Sequence, residues 1–89
     1  MTVYVDRPIW YGHGRWWSHL VSDVSYAELH AFAAELGCPR RAFDRDHYDL
    51  PSARYADAVR AGAVEVGSKE LLRRLRESGL RRPRPRPRG

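Results

Sequence analysis

Short β-branched or aromatic runs alternate along this chain with segments of helical period, and that alternation constrains the fold more than any other feature. Val3-Tyr4-Val5 and His19-Leu20-Val21-Ser22 read as strands, Ala42-Phe43 as a shorter one between charged neighbours, and Ala63-Val64-Glu65-Val66 as a fourth. Ser25 and Glu28 form a capping box, in which each side chain answers the other's orphan amide, and Val24 is spaced to staple onto Leu29. Leu29, Phe32, Ala33 and Leu36 then recur on one helical face and Gly37 supplies a left-handed stop, which predicts a helix over 26–36. Pro51-Ser52 opens a second helix with Tyr55, Ala56 and Val59 inward and Gly62 at its end, and Gly67-Ser68 opens a third with Leu71, Leu72 and Leu75 inward, ending near Gly79. Strand-helix alternation with short joints favours right-handed crossovers, so the expected fold is α/β, a small mainly parallel sheet of about four strands with three helices. Leu29, Phe32, Leu36, Val59, Val64 and Leu75 are the expected core positions. Residues 6–18 fit no element and read as a long loop, which in so small a domain implies function or hidden structure.

At 89 residues there is room for one domain, near the lower limit for a self-sufficient core. A charged share of 30% argues against a membrane protein. No apolar run approaches the roughly 20 residues that span a bilayer. The N-terminus opens directly on a strand-like run, without a basic segment and apolar signal, so a cytoplasmic location is expected. The lone Cys38 cannot form an internal disulfide. The net charge of +5 invites a nucleic-acid reading, but its location reverses that inference. Five of the 16 basic residues fall in residues 81–89, leaving 11 basic against 11 acidic residues in 1–80. The expected organisation is therefore one neutral domain over 1–80 followed by a disordered Arg-Pro tail over 81–89. Such a tail can contact RNA, DNA or acidic protein through diffuse electrostatics, or serve only as a solubilising extension.

Two polar clusters carry the chemistry. Residues 10–19 hold all three tryptophans and two of the four histidines, with Gly12 and Gly14 interspersed. Tryptophans there offer stacking faces, and Arg15 and His19 offer donors to a phosphate or carboxylate; alternatively the tryptophans plug one end of an undersized core. Residues 40–49 form the second cluster, ending in His47-Tyr48-Asp49. If the sheet is parallel, both clusters follow strand ends at one edge, as does Asp6, and Arg54 at the start of the second helix approaches the same edge. The expected ligand site is an anion pocket containing Arg15, Trp17, His19, His47, Tyr48 and Arg54, with His19 and His47 close enough to serve one small ligand. The bland alternative is that Arg45 and Arg54 merely pair with neighbouring aspartates on a solvated surface. Candidate catalytic residues are Asp6, His19, His47 and Asp49. Asp6, Asp23 and Asp49 could instead gather around Mg²⁺ for phosphodiester hydrolysis. A zinc set of His13, His19, Cys38 and His47 lacks paired spacing, and no metal ligand is assigned. No Walker loop, Gly-x-Gly-x-x-Gly or Gly-x-Ser-x-Gly is present, so no cofactor is assigned.

Val3-Tyr4-Val5-Asp6, Gly14 to Trp17 with His19-Leu20, Glu28-Leu29-His30 with Phe32-Ala33, Leu36-Gly37, His47-Tyr48-Asp49-Leu50 and Gly62-Ala63 form an ordered set. In that set the chain resembles the small bacterial and phage proteins of the domain of unknown function 4031 family, over roughly residues 2–76. The resemblance implies a single module and no particular activity, substrate or cofactor. Three functions follow from the residues: binding of an anionic ligand such as a nucleotide or nucleic-acid phosphate, metal-dependent phosphoester hydrolysis using Asp6 and Asp49, or docking of a protein partner on exposed tryptophans.

Overall fold

The computed structural model describes residues 2–83. Its elements are β1 (Val3–Asp6), β2 (Trp10–Gly12), β3 (Arg15–Ser22), α1 (Tyr26–Glu35), β4 (Phe43–Asp44), β5 (His47–Pro51), α2 (Tyr55–Arg60), β6 (Val64–Val66) and α3 (Ser68–Glu77). The class is α/β with three helices, but the sheet corrects the expectation of four mainly parallel strands. It has six, in the order β4-β5-β3-β1-β6, with β2 beside the first half of β3. Only β1 and β6 run parallel among the described residues; the other pairings are antiparallel.

The error has two sources. Residues 6–18 are not a loop, because β2 and β3 form a hairpin closed by His13 (φ 50°) and Gly14 (φ 75°). Two consecutive left-handed residues make the two-residue turn whose twist suits a hairpin, and His-Gly is a rarer way to write it than Asn-Gly. The second source is His47-Tyr48-Asp49-Leu50, read as a polar cluster although its burial alternates along the strand as a half-buried strand should. Each hairpin adds an antiparallel strand where a crossover had been expected.

Helices cover both faces. Val3, Val5, Leu20, Tyr48 and Leu50 point towards α1 and α2, where Leu29, Ala33, Leu36 and Ala58 complete the larger core. Tyr4 and Val21 point the other way, onto Leu71 and Leu75 of α3. Phe32 and Val59 pack partly buried against the larger core. Val64 departs from expectation at 45% exposed, because β6 is an edge strand, and Ala63 beside it is buried instead. Ala56 is also exposed: residues Ser52–Arg54 form a 3₁₀ turn before α2, which shifts the helical phase so that Ala58 faces inward.

The start of α1 keeps half of the expected capping box. Ser25 Oγ accepts from the Glu28 amide at 3.0 Å, but the Glu28 carboxylate takes the Ser22 hydroxyl at 2.6 Å, and that hydroxyl oxygen accepts the Ser25 amide. Val24 remains exposed and does not act as a staple. Among the described residues no helix is long and apolar enough to cross a membrane.

Candidate functional site

Register places the site. Tyr4 and Val5 pair with Val21 and Leu20, so Asp6 faces His19 across β1 and β3, and His19 pairs with Asp49 across β3 and β5. Directly opposed residues share a sheet face, and His47 shares it with Asp49 two positions away. The row Asp6, His19, Asp49 with His47 thus lies on the α3 face, beyond the patch that Leu71 and Leu75 cover. Antiparallel register, and not the expected parallel-sheet edge, thus brings Asp6, His19, His47 and Asp49 together, while Tyr48 and Arg54 stand apart from them.

Each histidine is held from behind by a buried aspartate. Asp6 is fully buried; its Oδ2 accepts from His19 Nδ1 at 2.9 Å, the Ser68 hydroxyl at 3.1 Å and the Trp10 indole at 3.2 Å, while Oδ1 takes the His19 amide at 2.6 Å. Asp46, equally buried, accepts from His47 Nδ1 at 2.7 Å through Oδ1, and from Arg81 Nη1 at 3.0 Å and the Arg82 amide at 2.7 Å through Oδ2. The His19 and His47 ring centroids are 5.2 Å apart. His47 Nε2 lies 3.2 Å from Asp49 Oδ1.

The electrostatics follow from these contacts. Burial opposes the Asp6 charge, but the hydrogen bonds from the His19 ring and amide outweigh it and hold the carboxyl below its ordinary range. Asp46 is lowered in the same way, its burial outweighed by the bonds from His47, Arg82 and Arg81. Burial alone would lower His47, yet the Asp49 and Asp46 carboxylates raise it above the ordinary histidine value. Asp46 sits in a tight turn: Arg45 has φ 60° and the Asp46 amide donates to the Asp44 carbonyl across it. That three-residue closure is a strained one for a residue with a Cβ.

The remaining expected residues lie at different distances from this centre. Arg15, Trp17 and Arg54 line a cavity of about 560 Å³ that Asp49 borders. Tyr48 points to the opposite face, where its hydroxyl meets His30 Nδ1 at 2.7 Å inside the larger core. Arg54 lies 3.7 Å from Asp57. Asp46, Trp10, Ser68 and Arg81 were not singled out as site residues, and all four line a cavity of about 390 Å³ together with Asp6, His19 and His47. Only the Asp46-His47 adjacency hints at them, since Ser68 reaches Asp6 from 62 positions along the chain and Arg81 reaches Asp46 from 35. Arg81 and Arg82 make definite contacts, including the Arg82 guanidinium over the Tyr26 ring at 4.3 Å. The rest of the expected tail, residues 84–89, lies outside the described residues.

A donor nitrogen of each histidine and a carboxylate oxygen of Asp49 lie within 4.8 Å of one another. With both Nδ1 atoms bound to aspartates, a metal would be taken by the Nε2 atoms, that of His47 in place of its 3.2 Å contact with Asp49 Oδ1, and a carboxylate behind a histidine is the usual support for a metal ligand. Two imidazoles and a carboxylate suit a divalent transition metal and leave positions open for water or substrate.

No curated protein and no solved structure matches the chain. Residues 3–78 match the profile of the family described as "Protein of unknown function (DUF4031)", which spans nearly the whole described fold. By that match the chain belongs to the DUF4031 family.

Proposed function

We propose that the domain is a divalent-metal-dependent phosphoesterase whose metal is held by His19, His47 and Asp49. The observation that carries this reading is the pair of fully buried aspartates, each fixing one histidine through Nδ1, beside a cluster in which one nitrogen of each ring and a carboxylate oxygen of Asp49 lie within 4.8 Å of one another. Two buried carboxylates cost several kcal/mol in desolvation unless their partners are well placed, about the scale expected for such ions. A purely structural use of these histidines would not need both to be held in one orientation beside an exposed-side carboxylate.

His19, His47 and Asp49 would hold a divalent cation, which would supply a Lewis acid towards a phosphoryl oxygen and make water nucleophilic near neutral pH. In the reaction, water oxygen adds to phosphorus, the P–O bond to the leaving alcohol breaks, and the proton from water ends on that alcohol. Asp6 and Asp46 are positioning residues in this scheme, not ligands. Lys69 on the rim of the same cavity supplies a cation for the phosphate. The anion-binding role expected from the sequence becomes the substrate-binding half of this function.

The test is calorimetric titration of the apoprotein with Zn²⁺ and with Mn²⁺, followed by assay of bis(p-nitrophenyl) phosphate hydrolysis with each. One site is expected, lost in His47→Ala and in His19→Ala, with hydrolysis falling in parallel. Metal binding that survives both substitutions would remove the proposal.

A further inference from the structure

We infer that the phosphodiester taken by this centre is a single-stranded nucleic acid, an inference that rests on the metal-hydrolase reading above. The metal set does not sit in a closed pocket. Three cavities lie in a row beside it: His19 and Trp10 border both the 390 Å³ cavity and a middle one of about 240 Å³, and Asp49 and Trp17 border both the middle one and the 560 Å³ cavity. A row of cavities flanking the reacting position offers a path that suits an internal linkage of a polymer better than a terminal monoester.

Cations and aromatic rings alternate along that path. Arg15 and Arg41 line the far cavity, Trp17 and Trp10 flank the middle one, and Lys69 lines the near cavity. Among the described residues Arg15, Arg41 and Lys69 have no carboxylate within ion-pair distance, so their charge is available to a polyanion. The two tryptophans belong to paired positions of the β2–β3 hairpin and share the sheet face of the metal set. Trp10 is 45% exposed, with its ring 5.3 Å from that of His19 and its indole fixed on Asp6. The Arg15 guanidinium lies 5.8 Å from the Trp17 ring. A cationic groove carrying fixed aromatic faces is the arrangement that holds single strands, because each unstacked base has a face to offer and a duplex hides it. Hydrolysis then breaks one P–O bond of the strand, water supplying the oxygen to phosphorus and the proton to the released sugar hydroxyl.

The full chain loaded with Mn²⁺ is assayed on one oligonucleotide sequence as RNA, as DNA and as the corresponding duplex, with bis(p-nitrophenyl) phosphate in parallel. Cleavage of either single strand in preference to duplex supports the inference. For binding, Trp17→Ala is expected to weaken single-strand affinity roughly 5- to 150-fold. The exposed pair Arg15→Ala/Arg41→Ala is expected to lower the slope of log affinity against log salt by about 1.4, as loss of two phosphate contacts does. Both variants should lose single-strand affinity by a larger factor than small-diester turnover, and the arginine pair keeps the test valid if Trp17→Ala fails to fold. If the small diester is hydrolysed while single strands are bound no better than duplex, are not cleaved, or keep the parent salt slope in the arginine variant, the inference is overturned and the metal-hydrolase reading stands. If neither the small diester nor any oligonucleotide is cleaved with Mn²⁺ or Zn²⁺, that reading falls and the inference with it.

Discussion

Asp6 shows how much one side chain can organise here. Its two oxygens collect four donors from β3, from the hairpin and from the start of α3, so it ties three elements together while holding His19. Asp6→Asn keeps the shape but replaces an acceptor oxygen with a donor, which must face groups that are themselves donors. The expected outcome is a loss of metal affinity of roughly 10- to 100-fold, read by Zn²⁺ calorimetry, with the hydrodynamic size of the parent retained. Asp6, His19, His47 and Asp49 were legible in the sequence as chemistry-bearing residues near strand ends. Asp46 was not, because an aspartate between Arg45 and His47 in a charged run looks like solvated surface, and only the folded turn shows it fully buried. Tyr48 was read into the site for the opposite reason: adjacency in sequence puts neighbours on opposite faces of a strand.

The β2–β3 hairpin is the element on which the site most depends, since β3 carries His19 and the hairpin supplies Trp10 and Trp17. Gly14 at φ 75° has no neighbour within 4 Å of where a Cβ would stand, so the cost of a side chain there is purely conformational. Gly14→Ala is expected to destabilise the domain by about 1–2 kcal/mol, measured by urea unfolding, through the left-handed backbone alone. Helices were the most legible elements: the stop at Gly37 and the apolar stripe of α1 place that helix at Tyr26–Glu35, against an expected 26–36. Strands fared worse, because helical periodicity extends over many residues whereas β2 and β4 offer three and two residues each. What told β2 from a loop was its partner, and pairing is not written in a strand's own sequence.

At the scale of the whole molecule, the charge boundary drawn at residue 80 is not where contacts stop. Arg81 and the Arg82 amide satisfy one oxygen of Asp46, Arg45 donates to the Arg82 carbonyl at 3.2 Å, and the Tyr26 hydroxyl donates to the Leu80 carbonyl. Removing residues 81–89 leaves a buried carboxylate short of two donors, a loss on the order of 1–3 kcal/mol. A fall in melting temperature is therefore expected, at about 4–8 °C per kcal/mol for a domain of this size, and a calorimetric scan of the truncated chain against the parent measures it. The same contacts give the molecule a temporal order. Asp46 and Arg82 are 36 positions apart, so on the ribosome the sheet that carries both histidines is made well before the segment that completes the support of His47. A nascent chain is thus built with the aspartate behind His47 short of two donors, and synthesis of Arg81 and Arg82 supplies them.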